Sequence, residues 1–173
     1  LFIGNRGAYK NFQLFFKSVS ILLKESKDLY LVCAGSSSFS DKEIEMFKEF
    51  GVEQRVKHFK FKGDEELAHI YSKAVCFVFP SLYEGFGIPV LEAFACDCPA
   101  VISNTSSLPE VGGDAVEYFD PKDMNSIKNS VEKVVKNEKL RKDLIVRGRK
   151  RLKLFSWERA AQKFINTYKE IKL

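Results

Sequence analysis

Apolar residues in this chain fall into two kinds of grouping. Short continuous runs occur at residues 1–4, 29–34, 56–61, 75–79, 99–102 and 116–119, and such runs suit strands covered on both faces, as in a parallel sheet. The run at 56–61 is the weakest, because lysines interrupt it. Between the runs, apolar positions recur at helical spacing. Phe12, Phe15, Phe16, Val19, Leu22 and Leu23 form one buried stripe. Ser40 or Asp41 can cap a helix carrying Ile44, Phe47 and Phe50, and Asp64 a helix with Leu67, Ile70 and Tyr71 inward. A further helix is expected over 88–96, and helices fill most of the remainder, over 123–137, 138–153 and 156–171. Ser156 reads as the cap of the last one and Trp157 as its packing residue, with Met124 and the phenylalanines in the core.

Alternating strands and helices with short connections predict one α/β domain built on a doubly wound parallel sheet. Ligands of such folds bind beyond the carboxyl ends of the strands. Polar turns follow Gly4, Ala34, Phe61, Phe79 and Ile102, so all of them gather along that edge.

Composition narrows the class. The chain has 173 residues, 45% of them apolar and 29% charged, enough for a sizeable core. No apolar run approaches the roughly 18–20 residues needed to span a bilayer. There is no initiator Met and no signal-peptide pattern, and the chain opens directly on a strand, as a piece of a longer protein would. Cys33, Cys76, Cys96 and Cys98 lack zinc-site spacing and read as buried free thiols in a reducing, cytoplasmic setting. A metal or redox role for Cys96 and Cys98 is the lesser alternative. The net charge of +5 concentrates at residues 139–153, which hold eight Lys/Arg and one Asp. A solvated helical face is the first reading of that run, and peripheral contact with a membrane surface or an anionic acceptor the second. Nucleic acid comes last, since no aromatic platform accompanies it.

The chemistry concentrates in Pro80-Ser81-Leu82-Tyr83-Glu84-Gly85-Phe86-Gly87-Ile88-Pro89-Val90-Leu91-Glu92. A strand, a loop with two glycines and a helix with proline in its first turn offer backbone N–H groups to an anion. Glu84 and Glu92 bracket the loop and can both face one cleft. Arg6 and Lys10, at the end of the first strand, are candidate phosphate ligands. A P-loop, a dinucleotide fingerprint, a nucleophile elbow, an Asp-x-Asp and a His pair at metal spacing are all missing. The expected ligand is therefore an anion held by amides, Arg and Lys, with no obligatory metal. His58 and His69 are read as structural or surface residues.

These residues, followed by Ala93-Phe94-Ala95-Cys96 and Pro99-Ala100-Val101, resemble the retaining glycosyltransferases of family 4. Gly4, Arg6 and Lys10-Asn11, the turn at Gly35, the segment Asp64-Glu65-Glu66-Leu67 with Tyr71 and Ala74, Ser107-Leu108-Pro109-Glu110-Val111 and Phe155-Ser156-Trp157 extend the resemblance over essentially the whole chain. It implies the Rossmann-like, C-terminal donor-binding half of a GT-B enzyme whose N-terminal acceptor domain is not in this chain. It further implies transfer, with retention, of a hexose such as mannose or glucose from a GDP- or UDP-sugar to a glycan or lipid-linked acceptor in polysaccharide assembly, at the cytoplasmic face of the membrane. On that pattern Arg6 and Lys10 neutralise the donor diphosphate, and Glu84 holds hydroxyls of the transferred sugar. Glu92 holds the ribose, while Gly4, Gly85 and the amides of Phe86, Gly87, Val90 and Leu91 line the donor site. Phe61 and Lys62 lie near the base. The isolated domain is expected to bind nucleotide weakly and to transfer no sugar. A sugar-nucleotide epimerase of the same architecture and a non-catalytic partner domain are the alternatives. Two positions depart from the family: Asp97 stands where Gly is usual, and a usual Gly near Lys60 is missing. Asp tolerates a left-handed turn, so the fold survives the first.

Overall fold

A computed structural model describes residues 1–35 and 37–171. Strands and helices alternate: β1 (Phe2–Ile3), α1 (Phe12–Glu25), β2 (Leu31–Ala34), α2 (Asp41–Glu49), β3 (Val56–Phe59), α3 (Asp64–Lys73), β4 (Phe77–Phe79), α4 (Ile88–Ala95), β5 (Ala100–Ser103), α5 (Leu108–Gly112) and β6 (Glu117–Phe119). Three helices end the chain: α6 (Met124–Lys136), α7 (Glu138–Leu152) and α8 (Trp157–Glu170).

Every strand pairing is parallel, within two three-stranded sheets, β1-β2-β3 and β4-β5-β6. The sheets meet along β1 and β4. There the Val78 N–H donates to the Leu1 carbonyl at 2.8 Å, and the Leu1 amino group donates to the Cys76 carbonyl at 2.9 Å. The spatial order is thus 3-2-1-4-5-6, with strand order reversing between β1 and β4. In an open α/β sheet that reversal opens a crevice at the carboxyl ends of those two strands.

The strands read as continuous apolar runs because both sheet faces are covered. Successive residues alternate between two cores, as the two-residue period of a strand requires. Phe2, Cys33, Val78 and Val101 join one core with Phe12, Phe15, Phe16, Phe47, Ile127 and Val131 from α1, α2 and α6. Ile3, Ala34, Phe77, Phe79, Ala100 and Ile102 join the other with Tyr71, Val90, Phe94 and Leu108 from α3, α4 and α5. α7 packs across α4 at Gly148, where an added Cβ would lie 2.8 Å from Phe94 Cδ1.

Four expectations need correction. β3 stops at Phe59 rather than reaching residue 61, because β2 ends at Ala34 and leaves nothing to pair with beyond it. Gly63, not Asp64, occupies the N-cap of α3. Met124 is the first residue of α6 and is exposed, not core. Trp157 is 83% exposed and is not a packing residue of either core, although Ser156 does cap α8 by accepting from the Arg159 N–H. No residue of α8 is buried; its apolar residues Trp157, Phe164 and Tyr168 are exposed and belong to neither core.

Candidate functional site

The β1 and β4 turns each bring one predicted side chain to the crevice. A short 3₁₀ turn, Ala8–Lys10, lifts Lys10 off the end of β1. Its ammonium lies 4.9 Å from the Phe79 ring centroid and 2.6 Å from Glu84 Oε1. Glu84 stands in the loop after β4, and the Leu82 N–H of that loop donates to the Tyr9 carbonyl at 2.8 Å. The pair therefore spans the point where strand order reverses. Both side chains are 14% exposed, so each charge has given up most of its water and depends on the other.

Arg6 is not brought to this pair. Its Nε donates to Glu43 Oε1 at 2.5 Å, and Nη2 donates to the Ser38 carbonyl at 2.7 Å and to Glu43 Oε2 at 3.3 Å. The guanidinium lies over the Phe39 ring at 4.9 Å, with its side chain 6% exposed. A forked carboxylate, a carbonyl and an aromatic face hold the planar cation on α2 and the turn before it, away from the Lys10–Glu84 pair. Burial would raise the Glu43 carboxyl, but the Arg6 and Ser40 hydrogen bonds outweigh it and hold the group below its ordinary value.

The glycine loop is shaped as an amide cradle. Gly87 adopts φ +106° at the N-cap of α4, and a Cβ there would meet Leu108 Cδ2 at 2.8 Å, so only glycine fits. The amides of Gly85, Phe86 and Gly87 have no acceptor among the described residues. The Val90 N–H, expected to face a ligand, instead donates to the Gly87 carbonyl at 3.0 Å, closing the first turn of α4. Val90 itself is buried in the core. Glu92, one turn further on and half-buried, has Oε2 held by the Tyr71 hydroxyl at 3.0 Å. Glu84 and Glu92 thus rest on different partners. Gly4, at φ +103°, donates its N–H to the Ala34 carbonyl at 2.9 Å. Phe61 packs on the second core at the same edge, and the Lys62 N–H donates to Glu66 Oε2 at 2.8 Å beside it.

Tyr9, Tyr83, Phe86 and Ile88 form an exposed apolar collar around the loop. A cavity of about 440 Å³ lies elsewhere, among Leu1, Leu29, Tyr30 and Val75 at the amino ends of the strands, and has no part in this crevice.

Residues 1–151 match the family described as "Glycosyl transferases group 1". The chain belongs to this family. It is 35% identical over 171 residues to the O-antigen chain mannosyltransferase B of Escherichia coli, covering 98% of this chain and 45% of that protein. A sucrose-phosphate synthase from Thermosynechococcus elongatus superposes at TM-score 0.81 with 25% identity, over 98% of this chain and 44% of that one. A glycosyltransferase from Rickettsia africae does so at 0.84 with 18% identity, over 98% and 47%. The fold is thus that of one Rossmann-like half of a GT-B glycosyltransferase, and the chain spans about half the length of these relatives.

Several residues of the site escaped the sequence reading. The turn after β5 was legible only as a polar loop, yet its hydroxyls build the cradle. Ser106 Oγ accepts from the Glu84 N–H at 3.0 Å, and Thr105 Oγ1 donates to the Leu82 carbonyl at 3.3 Å. Ser107 Oγ lies within donating distance of the Glu84 and Phe86 carbonyls, at 3.0 and 2.9 Å. Three hydroxyl residues in the four that follow the strand were the available signal. Ser81, wholly buried at the end of β4, has a hydroxyl without a partner among the described residues.

The departure from the family at Asp97 is explained. Asp97 adopts φ +55°, the left-handed region, and its carboxylate forks onto Arg149 Nε and Nη2, both at 2.6 Å. The basic run of α7 is largely spent in this way. Arg141 donates to the Val134 and Val135 carbonyls at the end of α6, Arg147 to the Asp114 carbonyl, and Arg151 to the Glu110 and Val111 carbonyls at the end of α5. Arg141 and Arg151 are thus cations on helix C-termini, where they satisfy orphan carbonyls. Among the described residues no helix is long and apolar enough to cross a membrane, and no cluster of His, Cys, Asp and Glu is arranged to hold a metal. The four thiols are free, and burial pushes Cys33 and Cys98 up to about 12, which makes them inert.

Proposed function

We propose that this chain is the donor-binding part of a retaining hexosyltransferase that takes a nucleotide-activated hexose, mannose first, and passes it to a glycan or lipid-linked acceptor. The observation that carries the reading is the Lys10–Glu84 pair across the strand-order reversal. The mannosyltransferase relative in O-antigen assembly supports the choice of sugar.

Each partner of the pair is matched to one end of a sugar nucleotide. Lys10 would turn to the diphosphate, whose charge grows as the glycosidic bond breaks. Glu84, released from the lysine, would accept from hydroxyls of the transferred sugar. The open amides of Gly85, Phe86 and Gly87 would add donors to the same anion. Arg6 would act by locking the β1 turn to α2, since its Nε and Nη2 are held by Glu43 and Ser38. Glu92 would receive the ribose, and the turn at Phe61 and Lys62 the base. The exposed collar of Tyr9, Tyr83, Phe86 and Ile88 supports a second wall, an acceptor domain that closes over the loop. On this reading no metal is required, because Lys10 and the amides supply the neutralising charge. The basic face of α7 retains Lys139, Lys150 and Lys153 for any contact with an anionic membrane surface.

A calorimetric panel of UDP, GDP and ADP with their hexose derivatives tests the reading. One nucleotide should be preferred, with micromolar-to-millimolar affinity and no turnover by this chain alone. Equal heats for all, or none, would favour a non-catalytic partner domain. An altered free sugar as product would favour an epimerase.

A further inference from the structure

Tyr71 is the largest fully buried polar side chain of the molecule, at 0% exposure, and it sits directly behind the predicted ribose carboxylate. Its ring is fixed edge-on to Phe77, 5.3 Å between centroids. Its hydroxyl emerges from the second core between two turns of α4, 3.0 Å from Glu92 Oε2 and 3.2 Å from the Pro89 carbonyl. A phenol carries one proton, and an ionised carboxylate is the stronger acceptor, so the bond to Glu92 dominates. Burial, and then the charge of Glu92, push the phenol above its ordinary range; the hydroxyl stays a donor at any physiological pH.

We propose that Tyr71 is the positioning residue for Glu92 and sets the enzyme's preference for a ribonucleotide donor over a deoxyribonucleotide one. The argument rests on Glu92 facing the ribose. A glutamate on a helix has three rotatable bonds and would scatter its carboxylate over several orientations. The bond from a wholly buried phenol pins Oε2 and selects one. Glu92 Oε1 has no partner among the described residues, so it is left facing outward. A carboxylate held in this way can accept from the adjacent 2′- and 3′-hydroxyls without first paying to order itself. Tyr71 touches no ligand; it acts through Glu92.

The test is calorimetry on the chain with the preferred nucleoside diphosphate and its 2′-deoxy and 3′-deoxy forms, in wild type, Tyr71→Phe, Glu92→Gln and the double variant. Wild type should bind the ribonucleotide about tenfold tighter than either deoxy form. Tyr71→Phe should lose about 3–10-fold for the ribonucleotide, the worth of one such hydrogen bond, and less for the deoxy forms, each of which leaves Glu92 a single hydroxyl. In the Glu92→Gln background, where the phenol meets only a neutral amide oxygen, Tyr71→Phe should cost less than in wild type. A wild type that does not discriminate overturns the ribose reading of Glu92 and the proposal with it. A discriminating wild type whose ratio survives in Tyr71→Phe overturns the role of Tyr71 alone. An equal loss for all three nucleotides, or a Tyr71→Phe chain that melts before binding can be read while Glu92→Gln stays folded, makes the hydroxyl structural and also overturns it.

Discussion

Lys10 and Glu84 are 74 residues apart in sequence and 2.6 Å apart in space, one on the turn after β1 and the other on the turn after β4. That single contact closes the crevice where strand order reverses, and it leaves the resting site nearly neutral. The two charges should therefore answer mutation differently. Lys10→Ala removes the cation and should weaken binding of every nucleoside diphosphate about 10–100-fold, the range for a lost charge-assisted bond. Glu84→Gln frees the lysine. It should leave the bare diphosphate bound at least as tightly and abolish any preference for the sugar-bearing form. Isothermal titration of both variants with a nucleoside diphosphate and its hexose conjugate checks the pair.

The hydroxyls behind the loop should matter to binding as well as to stability. Ser107 Oγ faces the Glu84 and Phe86 carbonyls, so it orients the peptide groups whose N–H ends would meet the donor. Ser107→Ala should cost about 1 kcal/mol in a urea melt. It should also lower donor affinity several-fold, because the cradle amides lose their alignment. Ser107→Thr, which keeps the hydroxyl, should restore affinity.

Gly87 is the least replaceable position of the loop. Its φ of +106° penalises any L side chain, and Leu108 Cδ2 waits 2.8 Å from a Cβ. Gly87→Ala should destabilise the fold by about 1–3 kcal/mol. It should also abolish measurable donor binding, since relief of the clash moves the start of α4. Thermal unfolding with and without nucleotide separates the two effects.

Strands and helices were legible because a sheet covered on both faces leaves unbroken apolar runs, and helices against it leave stripes. The alternation of Phe2 with Ile3, and of Cys33 with Ala34, between the two cores is the physical form of that signal. Lys10, Glu84 and the Gly87 turn were legible too, since each depends on local chain chemistry at a strand end. Partnerships between distant turns were not. Nothing local to Arg6 says that Glu43 will claim it, and both residues are ordinary surface types. Trp157 misled for a related reason: helical spacing identifies an apolar stripe without saying what covers it. Arg141 and Arg151 of α7 read as part of a charged face because their partners are backbone carbonyls of α6 and α5, which carry no sequence signature.

The Arg6–Glu43 pair gives a pH-dependent expectation with a definite sign. The folded Glu43 carboxyl lies below its ordinary value of 4.5, so the folded state favours the ionised form. A depressed carboxyl contributes stability that is fully present above the unfolded value and is lost as pH falls through the folded one. Urea midpoints of wild type and Glu43→Gln should therefore differ by a constant amount from pH 7 down to about 5. Below about 4.5 the two curves should converge as the wild-type carboxyl takes up its proton. Glutamine keeps an acceptor oxygen for the guanidinium and the capping position beside Ser40, so the variant should stay folded at neutral pH. A gap that widens on acidification would mean that Glu43 is destabilised, not held, by its surroundings, and that Arg6 is free to leave it for the donor.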